Sequence, residues 1–141
     1  MPIDRAASTI LRGLFEAALA EAPAVLHGDD VEATHDMRVA IRRLRSALET
    51  FEDTRPSRKL GTQPRAIRRL RRKLGRVRDA DVHLAVLRGA FGGATVSEAP
   101  GITFALESIA AERRRALSDF AVELSQFNRT AFLAALDDDA R

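Results

Sequence analysis

Large apolar side chains recur every three or four positions through residues 35–51. On a helix of 3.6 residues per turn they form one narrow stripe, made of Met37, Ile41, Leu44, Leu48 and Phe51. The flank about a third of a turn away is basic, with Glu49 below it, and consists of His35, Arg38, Arg42 and Arg45. Arg43 points in another direction. The pattern predicts a helix that packs along one side and presents basic groups, about one per turn, along the next.

A preceding helix is predicted over residues 4–21, because Asp4 can serve as its N-cap and apolar residues follow at helical spacing. Its expected inward stripe consists of Ala6, Ile10, Leu14, Ala17 and Ala18. Pro23 and the loop His27-Gly28-Asp29-Asp30 are expected to end this helix.

Asp30 is the expected cap of the basic helix described first, which should continue to about residue 51 or 52. The sequence Arg55-Pro56-Ser57 is then predicted to break it.

A third helix is predicted after Gly61, with Thr62 as its cap and Pro64 in its first turn. Its apolar stripe consists of Ile67, Leu70, Leu74, Val77 and Leu84. The far side collects Arg65, Arg68, Arg69, Arg72 and Arg76, whereas Arg71 and Arg78 should lie closer to the core edge. Gly75 costs about 1 kcal/mol relative to Ala in an exposed helix interior. We expect either a closely approaching helix or a bound anion to explain it.

Gly89, Gly92 and Gly93 predict a loop that continues to Pro100. A fourth helix follows over about residues 101–125, with an inward stripe of Ile102, Leu106, Ile109, Leu117, Phe120 and Leu124. Arg113 falls inside this stripe, although arginine is rarely buried without a partner.

Asn128 is the expected cap of a short last helix over residues 130–136, before the acidic residues Asp137, Asp138 and Asp139. No stretch shows the alternation typical of a β-strand. The chain is therefore predicted to be a single all-α domain over residues 1–141, an antiparallel four-helix bundle with a short C-terminal helix.

Composition narrows the class of protein. With 141 residues, of which 45% are hydrophobic and 30% charged, the chain can form one globular core. It has no Cys, which excludes disulfides and thiolate chemistry. The first 20 residues mix apolar and charged side chains, unlike a secretory signal, and no stretch has the length of a membrane span. We expect a cytoplasmic protein that has no membrane partner.

The net charge of +3 conceals a strong segregation of charge along the chain. Residues 35–88 carry 16 basic and 6 acidic side chains, whereas residues 1–34 carry 2 and 6, and residues 89–141 carry 5 and 8. Most of the basic residues are arginines, whose planar guanidinium group matches phosphate oxygens. A row of such groups fits a linear anion better than a small metabolite.

Asp79, Asp81 and His83 are the other candidates for chemistry. As metal ligands they form a poor set, because Asp81 lies on a different helix face from Asp79 and His83. As an acid–base pair, Asp79 and Asp81 lack the remaining parts of a catalytic site. We expect these acidic residues to orient arginines instead, with ion pairs to Arg76 or Arg78. The prediction is a protein that is not an enzyme and has no cofactor or metal.

Two segments resemble the signatures of the CHAD family, the conserved histidine α-helical domain. The first is His35-x-x-Arg38-x-x-x-Arg42-Arg43-Leu44-Arg45, followed by Leu48 and Phe51; the second is Leu74-Gly75-x-Val77-Arg78-Asp79-x-Asp81-Val82. The resemblance implies a helical module that binds inorganic polyphosphate, often in association with polyphosphate-handling proteins, and located at polyphosphate granules. The positions that match its basic residues are His35, Arg38, Arg42, Arg45, Arg72, Arg76 and Arg78. Arg68, Arg69 and Arg113 complete our set of candidate polyphosphate ligands.

A full member of this family has about twice the length of this chain and consists of two pseudo-symmetric four-helix bundles. This chain resembles one of the two, without a second His-Arg signature. We therefore expect a homodimer in which a second copy restores the two-bundle architecture. A self-sufficient single bundle and pairing with a different chain stay open as alternatives.

Two other functions stay open. A nucleic-acid-binding protein would also use arginine, and we expect some weak nucleic-acid binding. Such proteins commonly stack bases on aromatic rings, however, and this chain has no Trp or Tyr, with its Phe residues expected in the core. A helical adaptor would leave the segregation of charge unexplained.

Overall fold

The structure, a computed structural model, describes residues 1–28 and 30–140, with side chains up to Asp137. Asp29 and the side chains of Asp138 and Asp139, which belong to the predicted loop and acidic tail, lie outside the described residues. The described part of the chain contains α-helices and no strands. They are α1 (Pro2–Ala20), α2 (Ala22–His27), α3 (Val31–Thr50), α4 (Arg55–Lys59), α5 (Gln63–Gly92), α6 (Ala99–Gln126) and α7 (Arg129–Ala140).

Each of the long helices α1, α3, α5 and α6 packs against the next long helix along the chain. Helix α3 lies between α1 and α5, and α6 packs along the other side of α5. Helix α7 returns to pack against α1 and the short α4. The prediction of an all-α helical bundle is confirmed, and the two basic helices, α3 and α5, are neighbours in it.

The buried stripe of α1 differs from the predicted one. Its buried residues are Ala7, Ser8, Leu11, Phe15 and Ala18, whereas Ala6, Ile10 and Ala17 are exposed and Leu14 is half-buried. The reason is Phe15, whose ring stacks on Phe132 of α7 with ring centroids 4.1 Å apart. Because a buried ring removes more surface from water than an alanine, the aromatic residue sets the rotation of the helix.

Helix starts also differ from the predictions in places. The first helix begins at Pro2, so Asp4 lies in its first turn and is not its N-cap; the Asp4 carboxylate accepts a hydrogen bond from Arg55 N at 3.2 Å. Asp30 caps α3 as predicted, accepting from Ala33 N at 2.9 Å. Asn128 caps α7 in the same way, accepting from Ala131 N at 2.9 Å. Thr62 stands at the start of α5 without a side-chain cap hydrogen bond.

The first helix and the basic helix end within about two residues of the predicted positions, at Ala20 and Thr50, but each of the two prolines expected after them also begins a short helix that was not predicted. Pro23 lies in the first turn of α2, and Pro56 lies in the first turn of α4. Proline is tolerated there because the first turn leaves its backbone N–H groups unpaired in any case. His27, assigned to a loop from the sequence, is the last residue of α2, and Gly28 follows it with φ +99°.

The predicted glycine loop is shorter than expected: α5 continues through Gly89 and ends at Gly92, and the connection to α6 is confined to residues 93–98. Helix α7 likewise includes the first residues of the predicted acidic tail. On α6, Phe120 and Leu124 are buried as expected, but Ile102, Leu106, Ile109 and Leu117 are only half-buried. Buried positions end at Leu84 on α5 and begin at Ala116 on α6, so the ends of this hairpin extend past the core.

Candidate polyanion-binding surface

Helix α3 places its predicted basic residues as the periodicity indicated. Its core side buries Met37, Ile41, Leu44 and Leu48, while His35, Arg38 and Arg42 are exposed on another face. Arg45 is half-buried, and its Nε lies 3.7 Å from the Glu49 carboxylate one turn along the same helix. An exposed pair of this kind contributes little to stability, so Arg45 can exchange Glu49 for another anion.

Helix α5 carries the larger group of arginines. Arg65, Arg68, Arg69, Arg72 and Arg76 are exposed, and Arg71 and Arg78 are half-buried, as the sequence predicted. Arg71 was left out of the candidate ligands, yet its Nε is buried with no hydrogen-bond partner among the described residues. Its stem is therefore held by packing while its guanidinium lacks an acceptor, which makes Arg71 a further candidate ligand. The predicted position of Arg71 at the core edge was the feature of the sequence that could have identified it as a candidate ligand.

Gly75 marks an open place on the surface of α5. A Cβ added there would meet nothing within 4 Å, so the predicted close approach of a neighbouring helix is wrong. On a helix surface, the neighbours of residue 75 are three and four positions away, and they include Arg71, Arg72 and Arg78. The helix backbone at Gly75 is thus uncovered between these arginines. A bound anion, the other expected reason for a glycine at this position, stays a prediction.

Two predicted ligands have carboxylate partners across the bundle. Arg69 Nε donates to Glu123 Oε1 at 2.8 Å. Arg113 is 14% exposed; its Nε donates to Asp81 Oδ1 at 2.5 Å, and its Nη1 donates to the Gly28 carbonyl at 2.7 Å. Asp81 is 2% exposed, and its Oδ2 is buried with no partner among the described residues. Asp81 thus orients an arginine, as expected, but the partner is Arg113 and not Arg76 or Arg78; Arg113 links α6 to α5 and to the end of α2.

Arg76 lies beside a cleft of about 460 Å³ between α5 and α6 whose lining carries both signs of charge. The lining includes Asp79, His83, Glu112, Arg115 and Asp119. The expected ion pair between Asp79 and Arg76 or Arg78 is not formed among the described residues. The nearby carboxylates still reduce the positive potential at Arg76 relative to that at Arg72.

Several basic residues of α3 and α5 have no carboxylate partner in the described ranges. We call seven of them, five exposed and two half-buried, the basic face: His35, Arg38, Arg42, Arg68, Arg71, Arg72 and Arg78. They lie on α3 and α5, which pack against each other. Six permanent positive charges on two adjoining helices make this surface suited to a polyanion.

Other chemistry finds little support around this surface. Among residues 1–28 and 30–137, no three His, Cys, Asp or Glu side chains are grouped so that they could hold a metal ion. None of the described helices combines the length and the apolar character that crossing a membrane requires. The expectation that the Phe residues lie in the core holds for Phe15, Phe120, Phe127 and Phe132, but Phe91 and Phe104 are exposed on the α5–α6 hairpin.

The comparisons with known proteins give one match. The family model for the CHAD domain matches residues 9–140, a segment that contains the whole basic face. Comparison with curated proteins and with solved structures gave no match. Since the matched segment covers nearly the whole chain, this protein belongs to the CHAD domain family.

Proposed function

We propose that this protein binds inorganic polyphosphate on its basic face, without hydrolysing it. CHAD domains are associated with polyphosphate binding and are generally binding rather than catalytic domains. The observation that carries the proposal is the arrangement of the basic face itself. Its arginines have no carboxylate partner in the described structure, so an anion can bind them without displacing an existing ion pair.

The shape of the basic face favours a chain of phosphates over a single one. A helix rises 1.5 Å per residue, so Arg68 and Arg78 are about 15 Å apart along α5 and His35 and Arg42 about 10 Å apart along α3. One phosphate group can contact only a few of these residues at a time. A linear polyanion lying across both helices can contact most of them, with the open backbone at Gly75 in its path.

Of the ten ligands expected from the sequence, five form the centre of the proposed site with Arg71: Arg38, Arg42, Arg68, Arg72 and Arg78. His35 lies at one end of the row. Arg45, Arg69 and Arg76 lie at the edge, beside the carboxylates described above. In this proposal Arg113 stabilises the fold and does not bind the anion, because its guanidinium already donates hydrogen bonds to the Asp81 carboxylate and the Gly28 carbonyl.

Nucleic acid is the second candidate ligand, since its phosphodiester backbone is also a linear polyanion. The exposed rings Phe91 and Phe104 provide aromatic surface, but they lie beyond Leu84, away from the arginines around Gly75. Base stacking next to phosphate contacts, which single-strand binding uses, therefore has no platform on the basic face. We expect nucleic acid to bind weakly and to be displaced by polyphosphate.

We also propose that two copies associate and that the protein acts in the cytoplasm, at polyphosphate granules. The two-bundle architecture implied by the family supports a dimer. Linkage then requires an anion shared by two copies to bind the dimer more tightly than the monomer.

The test is a titration of the full chain with polyphosphate of defined length, read by calorimetry or anisotropy at several salt concentrations. We expect saturable binding whose affinity falls steeply with salt, because each neutralised phosphate releases counterions. Competition should show that polyphosphate displaces single-stranded RNA at far lower phosphate concentration than the reverse. Absence of binding, or preferred binding of RNA, would refute the proposed ligand. Release of orthophosphate with added Mg²⁺ would refute the non-enzymatic part.

A further inference from the structure

A second cleft lies where the α5–α6 hairpin extends past the core, and we call it the junction cleft. Its volume is about 410 Å³, and Gly28 and Val31 line it from the connection between α2 and α3. Leu84 is the last buried residue of α5, and buried positions begin only at Ala116 on α6, so the bundle does not fill the space beyond them. A cleft of this size is within the range of about 300–1,000 Å³ that is typical of small-molecule sites.

The polar lining of the junction cleft carries an excess of positive charge. It consists of Arg88 on α5, Arg113 and Arg114 on α6, and the carboxylate of Asp81. Asp81 is already paired, because Arg113 Nε donates to its Oδ1 at 2.5 Å. Arg88 and Arg114 are exposed and form no ion pair or hydrogen bond through their side chains within the described ranges. Two guanidinium groups from neighbouring helices thus line one cleft without a carboxylate to neutralise them.

The mixed-charge cleft described above, also between α5 and α6, differs in this respect. Its two arginines, Arg76 and Arg115, share the lining with the carboxylates of Asp79, Glu112 and Asp119. These carboxylates repel an anion that approaches the guanidinium groups. The junction cleft has no such opposition once Asp81 is paired with Arg113, so it is the better anion site of the two.

The walls of the junction cleft are apolar and are held in place before any ligand binds. They include Val31, Leu84 and Leu117. Gly28 has φ +99°, and its carbonyl accepts a hydrogen bond from Arg113 Nη1 at 2.7 Å, which ties the end of α2 to α6. A preformed site of this kind loses little conformational entropy on binding. The lining therefore suits a ligand that has both an anionic group and an apolar part.

We propose that the junction cleft binds an organic phosphate, a small molecule that joins a phosphate group to an apolar body about the size of one ring. The phosphate lies between Arg88 and Arg114, and the apolar body packs against Val31, Leu84 and Leu117. A phosphate suits this pair because its tetrahedral oxygens can accept from two guanidinium groups at once, whereas a single arginine fork already matches a carboxylate. The site is separate from the basic face and does not rest on polyphosphate binding.

The experiment is an NMR titration of the full chain with phenyl phosphate at constant ionic strength. We expect saturable shifts of the backbone amides of Gly28, Val31 and Leu117, with a dissociation constant of about 1 mM or below for a ligand of this size. Inorganic phosphate lacks the apolar body and phenol lacks the charge, so each should bind at least about tenfold more weakly. Benzoate, which has the ring and a carboxylate, should also bind more weakly than phenyl phosphate.

Substitutions test the two parts of the cleft. Arg88→Ala and Arg114→Ala should each weaken phenyl phosphate binding about tenfold and leave thermal unfolding unchanged, because both side chains are exposed. Ala110→Phe places a ring in the cleft and keeps the arginines, and it should weaken binding as well. The matched control is Arg115→Ala, which removes an exposed arginine of α6 that lines the mixed-charge cleft and should leave binding intact.

Absence of saturable binding would overturn the inference, and so would unchanged binding by both Arg88→Ala and Arg114→Ala or an equal loss in Arg115→Ala. Benzoate binding as tight as that of phenyl phosphate would overturn the assignment to a phosphate. Titration of Arg72→Ala with each ligand separates the two proposals, since it should weaken polyphosphate binding and leave phenyl phosphate binding unchanged. Loss of phenyl phosphate binding alone refutes the junction cleft, whereas loss of polyphosphate binding alone in the wild type refutes the basic face.

Discussion

The basic face and the end of the α5–α6 hairpin adjoin each other on α5, yet their surfaces differ sharply in charge. We call this end, residues 82–106, the distal arm. From Arg65 to Arg78, α5 presents arginines in nearly every turn; from Val82 to Gly92 it presents valine, alanine and glycine with Arg88 as the single charged residue. The change occurs at Asp81, where Arg113 of α6 is anchored. One continuous helix thus divides its length between an arginine-rich part, which attracts anions, and a part with a single charged residue.

The largest expected contrast concerns two phenylalanines, one in the bundle and one in the arm. Phe15→Ala should lower the free energy of unfolding by about 3–5 kcal/mol, because it leaves a cavity against Phe132. Phe104→Ala should change the unfolding of the monomer by less than about 0.5 kcal/mol, since its ring is mostly exposed. Urea denaturation at low protein concentration measures both. A comparable loss from Phe104→Ala would mean that the arm belongs to the core.

The junction between the two regions is the next most sensitive place. Arg113→Ala should destabilise the fold by about 3 kcal/mol, because it leaves the buried Asp81 carboxylate without its partner. Arg114→Ala, which removes an exposed arginine from the neighbouring position, serves as the control and should have little effect. Thermal unfolding compares them. If Arg113→Ala instead keeps the stability and loses polyphosphate affinity, Arg113 is a ligand.

Removing charge from the basic face should affect binding and leave folding intact. Arg42→Ala and Arg72→Ala are each expected to weaken polyphosphate binding about tenfold, the effect of losing one charge-assisted hydrogen bond. Without the anion, their stability should be unchanged or slightly higher, because like charges repel. Arg43→Ala removes the same charge from another face of α3 and should cost much less affinity. Equal losses in all three would indicate attraction by net charge alone.

The smallest expected effects concern Gly75, where a substitution can change both the stability of α5 and the binding of an anion. Gly75→Ala should stabilise the fold by about 0.5–1 kcal/mol, because alanine favours the helix and its Cβ meets nothing within 4 Å. Gly75→Leu should also fold but bind polyphosphate less tightly, since its side chain would cover the backbone between Arg71, Arg72 and Arg78. Chemical denaturation and titration together decide this. Unchanged binding by the leucine variant would show that the anion does not contact α5 at residue 75.

The sequence predicted those features that depend on neighbouring residues. Apolar periodicity identified the helix class, the exposed arginines of α3 and α5, and the core-edge positions of Arg71 and Arg78. The caps Asp30 and Asn128 were also correct, because a cap is a contact over three residues. The other two expected caps, Asp4 and Thr62, do not cap their helices, so residue spacing fixes such contacts only where the helix begins at the expected residue.

Features that depend on distant packing could not be predicted in this way. The rotation of α1 follows from Phe132, and the partners of Arg69 and Arg113 are 54 and 32 residues away in the chain. The glycines at 89 and 92 are weak helix formers, yet α5 includes both of them. The exposed apolar residues of the distal arm could not be predicted for the same reason, since periodicity does not show which apolar stripe another helix covers.

The packing of α7 against α1 has a consequence for the order in which the chain folds. Besides the Phe15–Phe132 stack, Arg12 Nη2 lies near the Leu133 carbonyl, 121 residues along the chain, and also near Asp137. Closing so long a loop costs entropy that nearby contacts do not, so the helix α3–α5–α6 contacts should form earlier. Docking of α7 then falls after the rate-limiting barrier. Substitutions of Phe132 should accordingly accelerate unfolding and leave the folding rate almost unchanged.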